Sequence, residues 1–242
     1  MKRFLIALQF LTILPVKIKS EIDKKDFGKS LSYFPLVGAI IGILLFLSLV
    51  LFMGLPHMVR VVLILIASII ITGGIHLDGF ADTCDAFYGA KSKEETLRIM
   101  RDSRIGVMGV IGLVSILLLK LGLISSMPQG MLWRSLIMML VFSRWSQVLG
   151  CYLSNYPREQ GKAKYFIEYG SKKEFVAGSF FVIPLFLLLA GLKGMALLGL
   201  SLVIVVLFIN YTRRRLGGMT GDTIGATSEI AEVTMLLFYL IL

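Results

Sequence analysis

The chain has 242 residues, of which 57% are hydrophobic, and its mean hydropathy is +0.85. This composition excludes a disordered chain and favours an integral membrane protein over a soluble domain. The net charge of +10 is not arranged as a basic stripe with interleaved aromatic residues, so no nucleic-acid partner is expected.

The apolar stretches predict one helical membrane domain. Residues 3–14 predict a short interfacial or re-entrant helix, which we expect Pro15 to end. Seven further stretches are each near the roughly 20 residues that a membrane-spanning helix needs. These stretches are 36–55, 57–76, 105–126, 131–153, 175–192, 194–211 and 228–242. Because no repeat or linker interrupts them, residues 1–242 are expected to form one all-α bundle of about six to seven transmembrane helices in the lipid bilayer.

Basic residues are distributed unevenly between the connections. Twenty of the 25 Lys and Arg residues fall in the N-terminal segment and in 77–104, 154–174 and 212–227. The alternate connections hold only Arg60, Lys120, Arg134 and Lys193. Every acidic residue is also expected on the basic side or at its membrane edge. This asymmetry is the positive-inside pattern, and it predicts that the basic side faces the cytoplasm.

An aspartate cluster follows the stretch 57–76. On a helix, Asp78, Asp82 and Asp85 would project within about 60° of one another. Carboxylates near a membrane boundary are costly unless they hold a cation or contact water. Mg²⁺ takes carboxylates, water and substrate phosphates as ligands. The spacing therefore predicts a Mg²⁺ site on one helix face.

Two further segments on the basic side carry candidate site residues. Asp102 and Arg104 precede a glycine-rich helix start, which could bind phosphate unless Asp102 or Ser103 caps it. Asp222 and Glu229, seven residues apart, would share a helix face and could supply a second set of ligands. Glycines beside Asp222 allow close approach, so we expect this segment to converge on the aspartate cluster.

Two ionisable residues have competing interpretations. His76 would project about 160° from Asp78, and it is either a general base or a histidine at the membrane interface. Arg144 lies within an apolar stretch, where an arginine is a functional candidate. The alternative is that Arg144 only reaches towards the membrane surface.

Five segments in order resemble one family. They are 9–15 (QFLTILP), 33–38 (YFPLVG), 74–83 (GIHLDGFADT), 102–106 (DSRIG) and 220–226 (TGDTIGA). The chain resembles the cobalamin synthase family, the adenosylcobinamide-GDP ribazoletransferases, also called cobalamin-5′-phosphate synthases. The resemblance implies Mg²⁺-dependent transfer of the phosphocobinamide moiety of adenosylcobinamide-GDP to α-ribazole or its 5′-phosphate, with GMP released, on the cytoplasmic face of the inner membrane. That reaction completes the nucleotide loop in cobalamin biosynthesis.

The resemblance also implies roles for individual residues. Asp78, Asp82 and Asp85 would hold Mg²⁺, with Asp102 or Asp222 as a further ligand or base, and Arg104 would bind phosphate. Taken with the residue interpretations above, the candidate catalytic residues are Asp82, Asp102, Arg104 and His76. The candidate substrate-binding residues are Arg104, Arg144, Asp222 and Glu229, and the candidate Mg²⁺ ligands are Asp78, Asp82, Asp85 and Asp222. A homo-oligomer, or an association with other cobalamin-assembly enzymes, is compatible with this membrane location.

Two rival classes fit part of the pattern. A CDP-alcohol phosphotransferase also carries clustered aspartates, but its signature continues from Asp-Gly into Ala-Arg, whereas Ala81 is followed by Asp82 here. A cation-coupled transporter would use intramembrane charges and glycine-interrupted spans. The acidic cluster at one boundary and the absence of paired halves argue against a transporter.

Overall fold

The computed structural model describes residues 1–89, 92–161 and 163–242, and every regular element in these ranges is helical. Lys91 and Lys162, two of the basic connection residues, lie outside the described ranges. The helices are α1 (Lys2–Leu11), α2 (Lys24–Ser30), a 3₁₀ turn (Leu31–Tyr33), α3 (Phe34–Leu51), α4 (His57–Thr72), α5 (Ile75–Gly89), α6 (Lys93–Ile99), α7 (Val107–Ser125), α8 (Gln129–Leu153), α9 (Lys164–Tyr169), α10 (Lys172–Leu216) and α11 (Gly221–Ile241). The predicted all-α architecture is confirmed.

Within the described ranges, five helices are long and apolar enough to cross a membrane, and the bent pair of α4 and α5 would make a sixth. The longest helix, α10, covers two of the predicted stretches. Gly191 interrupts it with φ of 57° and ψ of −139°. In a straight helix, Phe186 and Gly194 would lie about 12 Å apart along the axis, because they are eight residues apart. Here the two residues are in contact, since a Cβ on Gly194 would collide with the carbonyl oxygen of Phe186. The chain therefore folds back at Gly191, which explains the separate stretches 175–192 and 194–211.

A sharp bend positions the aspartate-bearing helix. Gly73 and Gly74 have φ values of +63° and +68°, a region that glycine adopts without steric cost. The axes of α4 and α5 consequently differ by 91°. The expected span 57–76 is therefore wrong at its end, since α4 stops at Thr72 and His76 belongs to α5.

The N-terminal helix ends earlier than expected. Thr12 is already extended, with φ of −141° and ψ of 160°, so α1 stops at Leu11 rather than at Pro15. The N–H of Ile13 donates to the carbonyl of Ile71 at 2.8 Å. This hydrogen bond joins the segment after α1 to the end of α4, beside the bend.

The ends of the long helices meet on two sides of the bundle. On one side, Nε2 of His57 lies 3.0 Å from the carbonyl oxygen of Ser125. On this side too, Nζ of Lys193 donates to the carbonyl of Leu242 at 3.0 Å. On the other side, the N–H of Met219 donates to the carbonyl of Asn155 at 3.0 Å. The connections thus alternate between the two sides in the order that the charge pattern predicts.

Candidate active site

Helices α5 and α11 cross at closely apposed glycines. A Cβ on Gly79 would lie 2.8 Å from Cα of Asp222, and a Cβ on Gly225 would lie 3.3 Å from Cα of His76. Because glycine carries no side chain at these positions, the two backbones approach closely. The start of α11 therefore packs against the aspartate-bearing helix, and the two acidic segments converge as predicted.

A cavity of about 270 Å³ lies at this crossing. Its polar wall includes His76, Asp78, Gln147, Tyr156, Arg158 and Asp222. Its apolar wall includes Phe10, Phe34, Ile75, Cys151, Phe166 and Ile224. The volume is close to the lower end of the range for small-molecule sites, roughly 300–1,000 Å³, and the mixture of apolar walls and few polar groups is typical of them.

One cation faces the carboxylates of the cavity. Nη2 of Arg158 lies 3.0 Å from Oδ2 of Asp222. Asp82 lies one turn beyond Asp78 on α5 and is close enough to Asp78 and Asp222 for their charges to repel it. Gathered carboxylates need a compensating cation, and Arg158 supplies one positive charge for three negative ones.

The carboxylates at the crossing do not form a complete metal site by themselves. Among the described residues, no three His, Cys, Asp or Glu side chains form a ready-made metal cluster. Mg²⁺ is usually bound by one or two carboxylates together with water and substrate phosphates, so a full protein cage is not required. Asp78 and Asp222 line the cavity, and Asp82 lies one turn beyond Asp78 on α5.

The third member of the predicted triad has another partner. Oδ2 and Oδ1 of Asp85 accept hydrogen bonds from the backbone N–H groups of Gly106 and Gly109, each at 2.7 Å. The carboxylate thus occupies the N-terminus of α7, where N–H groups and the helix dipole favour negative charge. Asp85 therefore caps α7 instead of Asp102 or Ser103, and it also engages amide groups of the alternative phosphate site.

Asp102 and Arg104 lie outside the cavity wall and pair with each other. Nε and Nη2 of Arg104 donate to the two Asp102 oxygens at 3.0 and 2.8 Å. These hydrogen bonds stabilise the charged carboxylate and lower the pKa of Asp102 to about 2. The Arg104 side chain is 87% exposed. The structure thus does not bring this pair together with the carboxylates at the α5–α11 crossing.

Four charged side chains form a buried network deeper in the bundle. Nζ of Lys120 lies 2.6 Å from a carboxylate oxygen of both Glu229 and Glu232. Nη1 of Arg144 lies 3.0 Å from Glu232 and also donates to the hydroxyl of Ser228 at 2.7 Å. The network holds two positive and two negative charges, so it is neutral as a whole.

The network changes the interpretation of several residues. Lys120 lies within α7 and not in a connection, and Lys120, Glu229 and Glu232 are all buried. Glu232 lies about 15 Å beyond Asp222 along α11, close to half of a hydrocarbon core of about 30 Å. Arg144 does not reach towards the membrane surface, since its side chain is 1% exposed and ion-paired.

Glu229 and Arg144 therefore contact this network rather than the wall of the 270 Å³ cavity. They line an adjoining cavity of about 20 Å³, which has room for about one water molecule. His76 lines both cavities, since it lies between them. Glu229 and Arg144 thus lie in the buried network and do not line the larger cavity, where contact with substrate was expected.

Sequence reasoning missed three important residues: Glu232, Lys120 and Arg158. Glu232 lies in the predicted span 228–242, and Lys120 lies in the predicted span 105–126. Opposite charges within two predicted spans are the signal that could have indicated an ion pair between them. Arg158 carried no local signal, because it is one of many basic residues in the connections. Only the packing of its loop over α11 reveals it.

Comparisons with known proteins give the same family along the whole chain. The family profile described as Cobalamin-5-phosphate synthase matches residues 3–240. Similar curated proteins include adenosylcobinamide-GDP ribazoletransferases of Alkaliphilus metalliredigens (38% identical, covering 100% of this chain and 96% of the relative) and Acetivibrio thermocellus (36%, covering 99% and 98%). The protein of that name from Clostridium acetobutylicum is 34% identical and covers 98% of this chain and 94% of its own length. No solved structure matches. The chain belongs to the cobalamin-5-phosphate synthase family.

Proposed function

We propose that this chain transfers the phosphocobinamide moiety of adenosylcobinamide-GDP to α-ribazole or its 5′-phosphate and releases GMP. This is the last step of nucleotide-loop assembly in cobalamin biosynthesis. The observation that carries the proposal is the match to relatives named adenosylcobinamide-GDP ribazoletransferase over nearly the full length of both chains. The cavity, with its carboxylates and a buried arginine, supplies groups suited to phosphoryl transfer.

The finer parts of the proposal are Mg²⁺ dependence and a cytoplasmic active site in the inner membrane. Asp78, Asp82 and Asp222 would hold Mg²⁺, which when bound neutralises charge on the diphosphate. Asp85 is left out of this set because both of its oxygens accept hydrogen bonds from α7. The excess of basic residues in the connections on the side of the cavity supports the cytoplasmic orientation.

The transfer itself needs no nucleophilic side chain. A ribazole hydroxyl oxygen bonds to the phosphorus nearer the corrinoid, the bond from that phosphorus to the bridging oxygen breaks, and GMP leaves with the bridging oxygen. The proton of the attacking hydroxyl passes to the imidazole of His76, which lines the cavity beside Asp78. Arg158 stabilises the charge that develops on the phosphoryl oxygens.

The direct test uses the purified protein in lipid nanodiscs. Adenosylcobinamide-GDP, α-ribazole 5′-phosphate and Mg²⁺ are supplied, and GMP and the joined corrinoid product are quantified. We expect equal amounts of both, with no release when the ribazole or Mg²⁺ is omitted. Release of GMP without ribazole would indicate a hydrolase, and activity in a chelator would contradict the proposed metal dependence.

A further inference from the structure

Three phenylalanines from separate parts of the chain form one wall of the cavity. The ring of Phe166 lies 4.4 Å from that of Phe10 and 5.6 Å from that of Phe34, measured between centroids. Phe10 and Phe34 are stacked at 6.1 Å with 24° between their planes. All three residues line the cavity, and an aromatic lining of this kind suits a planar ring system.

The same cavity is lined by a hydrogen-bond donor that has no partner among the described residues. The side chain of Arg158 is 10% exposed and lines the cavity. Its Nη2 faces Asp222, but its Nε has no hydrogen-bond partner within the described ranges. A buried donor without a partner costs free energy. An oxygen acceptor of a ligand in the cavity would remove this cost.

The size and chemistry of the cavity indicate which part of the two substrates it can hold: the corrin, the guanine base or the base of α-ribazole. A corrin macrocycle with its side chains far exceeds about 270 Å³, so it cannot enter. A guanine base that stacks on the phenylalanines would have to pair its whole hydrogen-bonding edge with the polar wall, because unpaired polar groups cost free energy. The base of α-ribazole is a benzimidazole, which is planar and largely apolar. It therefore suits the wall that the three phenylalanines form.

We propose that the cavity is the subsite for the ribazole nucleoside, with its base against Phe10, Phe34 and Phe166. This assignment rests on the proposed function. The sugar then faces Asp78, Asp222 and His76, and Nε of Arg158 donates to an oxygen of the sugar or of its 5′-phosphate. This orientation places the attacking hydroxyl beside the carboxylates, while the corrinoid stays outside the cavity.

Binding can be measured without turnover. Titration calorimetry with α-ribazole, in nanodiscs and without the corrinoid, should show a single site in the unmodified protein. Phe166→Ala and Phe10→Ala should each weaken binding at least about tenfold, in line with the loss of one aromatic platform. Phe46→Ala is the matched control, because Phe46 packs against Trp133 outside this cavity, and it should bind normally.

Arg158→Gln provides a second variant, at a residue that lies in a loop and not in a helix. This variant should bind α-ribazole, its 5′-phosphate or both more weakly than the unmodified protein does. Comparing the two ligands identifies the group that accepts the hydrogen bond from Nε of Arg158. If the phosphate form alone is affected, Nε contacts the phosphate; an equal effect on both forms indicates the sugar. The 5,6-dimethylbenzimidazole base alone should bind with little dependence on Arg158.

Three results would overturn the assignment: no binding by the unmodified protein, normal affinity in folded Phe166→Ala, Phe10→Ala and Arg158→Gln, or competition by GMP that is lost in the same variants. The last result would assign the cavity to guanosine. Turnover of the unmodified protein separates the two proposals. If the unmodified protein forms product but one of these three results is found, only the subsite assignment is refuted. If it neither binds α-ribazole nor forms product, the proposed function is contradicted as well.

Discussion

The buried network predicts that stability depends on charge balance within the bundle. Lys120→Met removes one of its two cations and leaves Glu229 and Glu232 to share Arg144. Both carboxylates are nearly inaccessible to solvent, at 4% and 2% exposure. Removing one partner of a buried ion pair typically costs about 3–5 kcal/mol, because the remaining charge is neither hydrated nor paired.

A second change should reverse most of this loss. Lys120→Met combined with Glu229→Gln again leaves equal numbers of charges, and Arg144 keeps its ion pair with Glu232. Replacing a whole buried pair by neutral groups is often close to neutral in stability. We expect the double variant to recover at least about 2 kcal/mol, more than a tenfold change in the unfolding equilibrium constant.

Equilibrium unfolding in detergent micelles measures these differences. The four proteins are the unmodified chain, Lys120→Met, Glu229→Gln and the double variant, and together they form a double-mutant cycle. We expect a large favourable coupling between positions 120 and 229, because Lys120 and Glu229 are in contact. If the two single losses simply add in the double variant, the network does not act as a neutral unit and the reasoning is refuted.

Other predictions concern the site and the topology. Asp82→Asn should lower turnover at saturating Mg²⁺ at least about a hundredfold with unchanged unfolding; near-normal turnover would remove Asp82 from the site. Asp85→Asn should cost about 0.5–2 kcal/mol in stability, because it weakens the cap of α7, and should lower turnover less than Asp82→Asn does. In intact cells, a cysteine at His57 or Gln129 should react with an impermeant thiol reagent and one at Lys93 should not, whereas the reverse pattern contradicts the orientation.

Hydropathy predicts much of the helical architecture, because a membrane requires long apolar helices. It does not predict the bend at Gly73, since an apolar stretch continues through it, and the positive φ values follow from tertiary packing. Similarly, Pro15 is a plausible helix end, but the contact between Ile13 and Ile71 draws the chain away from the helix before it.

The sequence predicts only part of the candidate site. Helical spacing places Asp78 and Asp82 together, and the glycines of α11 predict the approach of Asp222. The same spacing assigns Asp85 to the group, although its partners are the amide groups of α7, which are distant in the sequence. Contacts across helices, such as those of Arg158 and Glu232, have no periodic signal within one segment.

The central claim is that the reaction takes place at the crossing of α5 and α11. Its most direct test compares ribazole-dependent GMP release by Asp222→Asn with that by Glu168→Gln, a carboxylate change at an exposed ion pair with Lys164 on the same side of the bundle. We predict that Asp222→Asn loses at least about a hundredfold in turnover and requires more Mg²⁺. Glu168→Gln should remain close to the unmodified protein, because an exposed ion pair contributes little. Full activity of a folded Asp222→Asn variant, with an unaltered Mg²⁺ requirement, would contradict the account.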